Sequence, residues 1–109
     1  MDKLKSFLEK RGYNIYRTYL DQRNLCDWYA GKRTTSSREC TKNQKPAQII
    51  LTPYRYNYSG SITEGVEVDI TAEFNSVWWK LEAYSLSPKD IIKKLDMIEG
   101  SLVKAWEAL

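Results

Sequence analysis

From Val66 to Phe74 the chain alternates without a break: Val66, Val68, Ile70, Ala72 and Phe74 are apolar, and Glu67, Asp69, Thr71 and Glu73 between them are polar. An extended backbone points successive side chains to opposite faces, whereas a helix would scatter this pattern around its circumference. The stretch is therefore a strand with one buried face, and the rest of the chain must supply a layer to cover it. Asn75-Ser76 reads as a tight turn into a second strand, Val77-Trp78-Trp79-Lys80-Leu81-Glu82-Ala83-Tyr84. Strict alternation there sends Val77, Trp79, Leu81 and Ala83 inward and Trp78, Lys80, Glu82 and Tyr84 outward.

The covering layer is legible at the two ends of the sequence. Ser87-Pro88-Lys89-Asp90 opens a helix, with Ser87 as N-cap, proline at the first helical position and an acid in the first turn. Ile91, Leu95, Ile98, Leu102, Trp106 and Leu109 then recur at three- and four-residue spacing and form one apolar stripe. Gly100 interrupts this helix at a cost of about 1 kcal/mol relative to alanine, which predicts close backbone packing there. Near the start, Asp2 is expected to cap a short helix from Lys3 to Arg11, with Leu4, Phe7 and Leu8 on its buried side and Gly12 ending it.

Between these, Tyr13 to Leu20 is rich in β-branched and aromatic residues and reads as a strand. A turn at Asp21 to Asn24 leads to a further strand from Leu25 to Ala30, on which Cys26, Trp28 and Ala30 share a face. The expected fold is α+β: one domain over residues 1–109, an antiparallel sheet of four or five strands, and the N-terminal and C-terminal helices packed on one face.

The strand before Val66 carries the tyrosines Tyr54, Tyr56 and Tyr58, and its register decides where they point. A two-residue turn at Ser59-Gly60 sets Val66, Val68 and Ile70 beside Pro53, Leu51 and Ile49 and turns the three tyrosines outward. A β-bulge at Gly65 shifts the pairing by one residue and turns them toward the core, leaving Arg55 and Asn57 outside near Glu67 and Asp69. The bulged register is the expected one, because a glycine stands where a bulge would and sheets tend to half-bury their aromatics.

Residues 31–46, GKRTTSSRECTKNQKP, hold five basic side chains against one acid and read as an exposed basic loop. Its opening GKRT is not a phosphate-binding loop, since Cys26 and Arg33 occupy positions where that motif needs glycine and Ser/Thr. The charge is polarised along the chain: residues 1–55 have 12 Lys/Arg and 5 Asp/Glu, whereas residues 56–109 have 5 and 9. Such a chain presents a basic and an acidic region to partners wherever the two halves do not interleave.

With no histidine, the commonest general base and metal ligand is missing, and two cysteines cannot build a four-ligand zinc site. The best acidic constellation pairs Asp69 with Glu82 across the Asn75-Ser76 turn, and such acids are expected to be solvated or paired with Arg55 or Lys80. No catalytic residue, cofactor or metal site is therefore expected. The charged N-terminal stretch MDKLKSFLEKRGY and the lack of a long apolar run predict a cytoplasmic protein without a membrane span, with Cys26 and Cys40 as free thiols, the alternative being a single bridge between them in an exported protein.

Four tryptophans and eight tyrosines in 109 residues predict binding surfaces as well as core. The expected contact residues are Trp78, Tyr84, Tyr54, Tyr56 and Tyr58 on an aromatic face, with Lys32, Arg33, Arg38, Lys42 and Lys45 on the basic loop. The run VEVDITAEFNSVWWKLEAYSLSPKDIIKKL, a hairpin entering a capped helix, together with the basic loop resembles the small accessory proteins of phages and mobile elements, anti-restriction and anti-CRISPR proteins among them. The resemblance implies a non-enzymatic inhibitor that occupies a host protein's surface; whether the chain acts as a monomer or a homodimer is left open by the sequence. The alternative is a nucleic-acid-binding protein that uses the basic loop and the sheet-face aromatics.

Overall fold

The computed structural model describes residues 1–17, 27–33, 47–74 and 77–107, with the side chains of Tyr56, Asn57, Glu73, Phe74, Trp78 and residues 105–107 left aside. The elements follow in the order α1 (Asp2–Lys10), β1 (Asn14–Arg17), β2 (Trp28–Arg33), β3 (Gln48–Tyr58), β4 (Ser61–Phe74), β5 (Val77–Leu86) and α2 (Pro88–Glu107). All five strands pair antiparallel in sequence order, and both helices lie on one face of the sheet, an α+β fold as expected.

The core is the meeting of two periodicities. Leu4 and Leu8 of α1 and Ile91, Leu95, Ile98 and Leu102 of α2 are buried against Trp28, Ala30, Ile49, Leu51, Val66, Val68, Ile70 and Ala72. Each of the large aliphatic side chains contributes about 1.5–3 kcal/mol by leaving water. Ser87 caps α2 as expected, its Oγ accepting a hydrogen bond from the backbone N–H of Asp90 at 3.1 Å. At the other helix the cap differs from expectation: Asp2 lies within α1, and no side chain caps it. The chain leaves α1 through Gly12 at φ 87°, with the N–H of Tyr13 donating to Leu8 and that of Gly12 to Glu9. This double backbone closure needs a left-handed residue, which glycine adopts without steric cost.

Two registers depart from the sequence reading. β3 and β4 pair as Pro53–Val66, Leu51–Val68 and Ile49–Ile70, the tight-turn register, with Ser59 at φ 51° and Gly60 at φ 83° between the strands. The bulge expected at Gly65 is absent, because Gly65 serves another purpose: it sits opposite Tyr54, whose ring occupies the space a Cβ would take. The bulge falls instead in β5. Ile70 pairs with Glu82 but Thr71 pairs with Lys80, so Leu81 is left over and every residue after it changes face. Tyr84 consequently stands opposite buried Val68 on the helix side, and Ala83 turns to the open side, the reverse of what strict alternation predicts. Leu81 itself packs against the core.

Gly100 is also corrected. Its surroundings are open, with no neighbouring atom within 4 Å of where a Cβ would stand, so no close packing explains it. Of the loop expected at 31–46, Gly31, Lys32 and Arg33 belong to β2, and residues 34–46 lie outside the described residues. Arg38, Lys42, Lys45, Cys26 and Cys40 lie outside the described residues, as do the Asn75-Ser76 turn and Leu109. Among the described residues no helix is long and apolar enough to cross a membrane.

Candidate functional site

β3 and β4 are longer than their neighbours. β2 meets β3 no further along than Leu51, and β5 meets β4 no further than Val66, so residues 54–65 pair only with each other among the described strands. They form a two-stranded arm that projects from the sheet, turned at Ser59-Gly60 with positive φ at both central residues, as a type I′ turn requires. At its base the Tyr54 hydroxyl and Ser85 Oγ share a hydrogen bond of 2.6 Å, one hydroxyl donating to the other. Farther out, Arg55 and Glu64 are cross-strand partners and form an ion pair at 3.3 Å, leaving the arm without net charge. Beyond that pair Tyr58 is 83% exposed and Ile62 57% exposed. Two large side chains thus reach into solvent at the tip of a ribbon whose charges cancel.

Of the residues expected on one aromatic face, the structure places Tyr54 and Tyr58 on the side away from the helices and Tyr84 on the opposite side. The side chains of Tyr56 and Trp78 lie outside the described residues. Tyr84 is buried enough, and near enough to Glu82, that its phenol is held above its ordinary pKa, first by desolvation and then by that carboxylate. Ile62 was missed by the sequence reading, although its position three residues after Ser59 in an overhanging hairpin is where an exposed apolar side chain signals contact.

The basic residues divide as well. Lys32 faces the helix side, where its ammonium donates to the Arg11 carbonyl at 3.1 Å, lies 3.5 Å from Glu99 Oε1 and stands 5.3 Å from the centre of the Tyr13 ring. Tyr13 donates its phenolic proton to the same Glu99 oxygen at 3.1 Å, and Arg11 reaches Glu99 Oε2 at 3.6 Å while bonding Asp96. This network ties α1, β2 and α2 together. Burial, and then the Glu99 carboxylate, raise the Tyr13 pKa well above its ordinary value. Arg33, one residue on, is exposed and turns to the open face beside Gln48.

On that open face Tyr16 and Tyr29, which the sequence reading passed over, are cross-strand partners stacked at 5.0 Å with their planes 23° apart. The signal for them was present: if Trp28 and Ala30 face the core, Tyr29 must face the other way. Toward β5, the acidic pair expected between Asp69 and Glu82 does not form, since the bulge places Asp69 opposite Ala83. Asp69 is paired with Lys80 at 3.2 Å, one of the partners expected for it. Among the described residues no three Asp, Glu or Cys side chains are grouped to hold a metal ion.

No known protein family, curated protein or solved structure matches the chain.

Proposed function

We propose that this protein is a non-enzymatic protein-binding module and that its projecting hairpin arm supplies the principal contact. One observation carries the reading: the tip exposes Tyr58 and Ile62 on a ribbon whose charged residues, Arg55 and Glu64, neutralise each other. Tyrosine is enriched among the residues that dominate protein interfaces, and large apolar side chains gain most when a partner's pocket removes them from water. A nucleic acid would be poorly served by this arm, because phosphates require unpaired cations. Occupying another protein's surface is also the mode of action that the resemblance to phage accessory proteins implies.

The test is a photo-crosslinking side chain placed in turn at Tyr58, at Ile62 and, as a control, at Lys3 on exposed α1. In cells that produce the protein naturally, positions 58 and 62 are expected to yield the same discrete adduct, destroyed by protease and absent at position 3. An adduct destroyed by nuclease, or equal labelling at all three positions, overturns the reading.

A further inference from the structure

The open face carries a second feature at the far end of β3 from the arm. Between Gln48 and Tyr58 the strand runs ten residues, which at about 3.3 Å each separates the two regions by about 33 Å. At the Gln48 end, Asn14, Tyr16, Tyr29, Arg33, Gln48 and Ile50 line a depression of about 500 Å³. We infer that this depression is a binding site for single-stranded nucleic acid, with Tyr16 as the stacking platform and Arg33 as the phosphate contact.

The argument starts from the tyrosine pair. Tyr16 is 44% exposed; Tyr29, its partner on the neighbouring strand, stacks against its ring, and Gly31, where a Cβ would stand 3.2 Å from Tyr16 Cε2, leaves the ring room. An aromatic ring braced on one side and this exposed is a surface on which an unpaired base stacks regardless of its identity. Asn14 and Gln48 offer amide donors and acceptors at the rim for base edges. Arg33 is exposed and forms none of the ion pairs seen among the described residues, and none of those lining the depression is a carboxylate.

The sequence that adjoins the site is basic: the thirteen residues between Arg33 and Ala47 include Arg38, Lys42 and Lys45 against Glu39 alone. On the neighbouring strand β4, Asp69 stands opposite Ile50, and its carboxylate is already paired with Lys80. A single strand is favoured over a duplex because an exposed ring on the protein surface stacks only with bases that are not already stacked within a helix. The site is independent of the arm and of the protein contact proposed for it.

The test is fluorescence anisotropy with a labelled oligothymidylate of about ten nucleotides and a duplex of the same length, at about 50 mM and about 200 mM salt. The single strand is expected to bind more tightly than the duplex. Tyr16→Ala weakens it about ten-fold or more, and Tyr16→Phe, which keeps the ring, leaves it unchanged. Arg33→Gln, an exposed strand position where folding is not at stake, weakens binding and lowers the slope of log affinity against log salt by about one. Tyr58→Ser, at the other end of β3, has no effect. The inference is overturned by no binding at the lower salt, by equal affinity for the duplex, or by binding that survives Tyr16→Ala and Arg33→Gln combined.

Discussion

The ring of Tyr54 lies across Gly65, its direct partner on the neighbouring strand, and fills the space that a side chain at position 65 would need. A glycine in a strand leaves backbone uncovered and offers nothing to pack, and an aromatic ring from the facing strand supplies both. The pairing also delivers the Tyr54 hydroxyl to Ser85 on β5, which anchors the base of the arm to the rest of the sheet.

Gly65→Ala therefore displaces the ring and breaks the Ser85 contact, and is expected to destabilise the protein by about 1–3 kcal/mol in urea unfolding. Tyr54→Phe removes only the hydroxyl contact, a loss of about 0.5–1.5 kcal/mol. The sharper check is a double-mutant cycle. Once Tyr54→Ala has removed the ring, Gly65→Ala has nothing left to strike, so the two losses are expected to be markedly less than additive.

The same pair marks where the sequence is readable and where it is not. α2 is legible because its cap, its proline and its stripe are all local signals, and each is found in place except where Trp106 and Leu109 escape description. The strands are legible for the same reason. Their registers are less so, because a glycine at position 65 has the same appearance in sequence whether it makes a bulge or makes room for Tyr54. Ser59-Gly60, with its two positive φ angles, was the decisive signal. The bulge at Leu81 has no sequence mark at all, since leucine there continues the apolar alternation while the backbone slips past it. That one residue moves Tyr84 to the helix side and dissolves both the single aromatic face and the Asp69–Glu82 pair. The position of Lys32 was unreadable for a different reason: Glu99, which holds it, is 67 residues away in sequence.

Gly100 is exposed in the middle of α2 with open space around it, and its φ is not one that a side chain would resist. Gly100→Ala is then expected to raise stability by about 0.5–1 kcal/mol, through the lower entropy of the unfolded chain and better helix propensity. Thermal melts of the two proteins check this. A loss of stability instead of a gain would mean that the position is occupied by something outside the described fold.

Tyr13 makes stability depend on alkaline pH. Its pKa is raised above the ordinary 10.0, first by burial and then by the Glu99 carboxylate. Above about pH 10 the unfolded chain loses a phenolic proton that the folded chain keeps, so the contribution is complete below that pH and falls as pH rises beyond it. One proton corresponds to about 1.4 kcal/mol per pH unit. Tyr13→Phe is expected to be less stable than the parent near pH 8, having lost the hydrogen bond to Glu99, and to narrow that gap steadily between about pH 10 and pH 11. Urea midpoints of both proteins across that range give the difference directly, free of contributions from the other tyrosines.

Ser59 carries φ 51° at the first central position of the arm's turn, where a residue with a side chain is strained and asparagine is better tolerated than serine. Ser59→Asn completes the Asn-Gly pair that two-residue hairpins prefer, and is expected to stabilise the arm by a few tenths to about 1 kcal/mol. Gly60→Ala, at φ 83°, acts in the opposite direction by about 1 kcal/mol or more. Because residues 54–65 pair only with each other among the described strands, both effects belong in the arm's own amide exchange rates more than in the global melt. They also bear on binding. An arm already held in its bound shape surrenders less entropy on contact, so under the proposed function Ser59→Asn is expected to slow dissociation from a protein partner, while oligothymidylate affinity at the proposed Tyr16 site stays as it was.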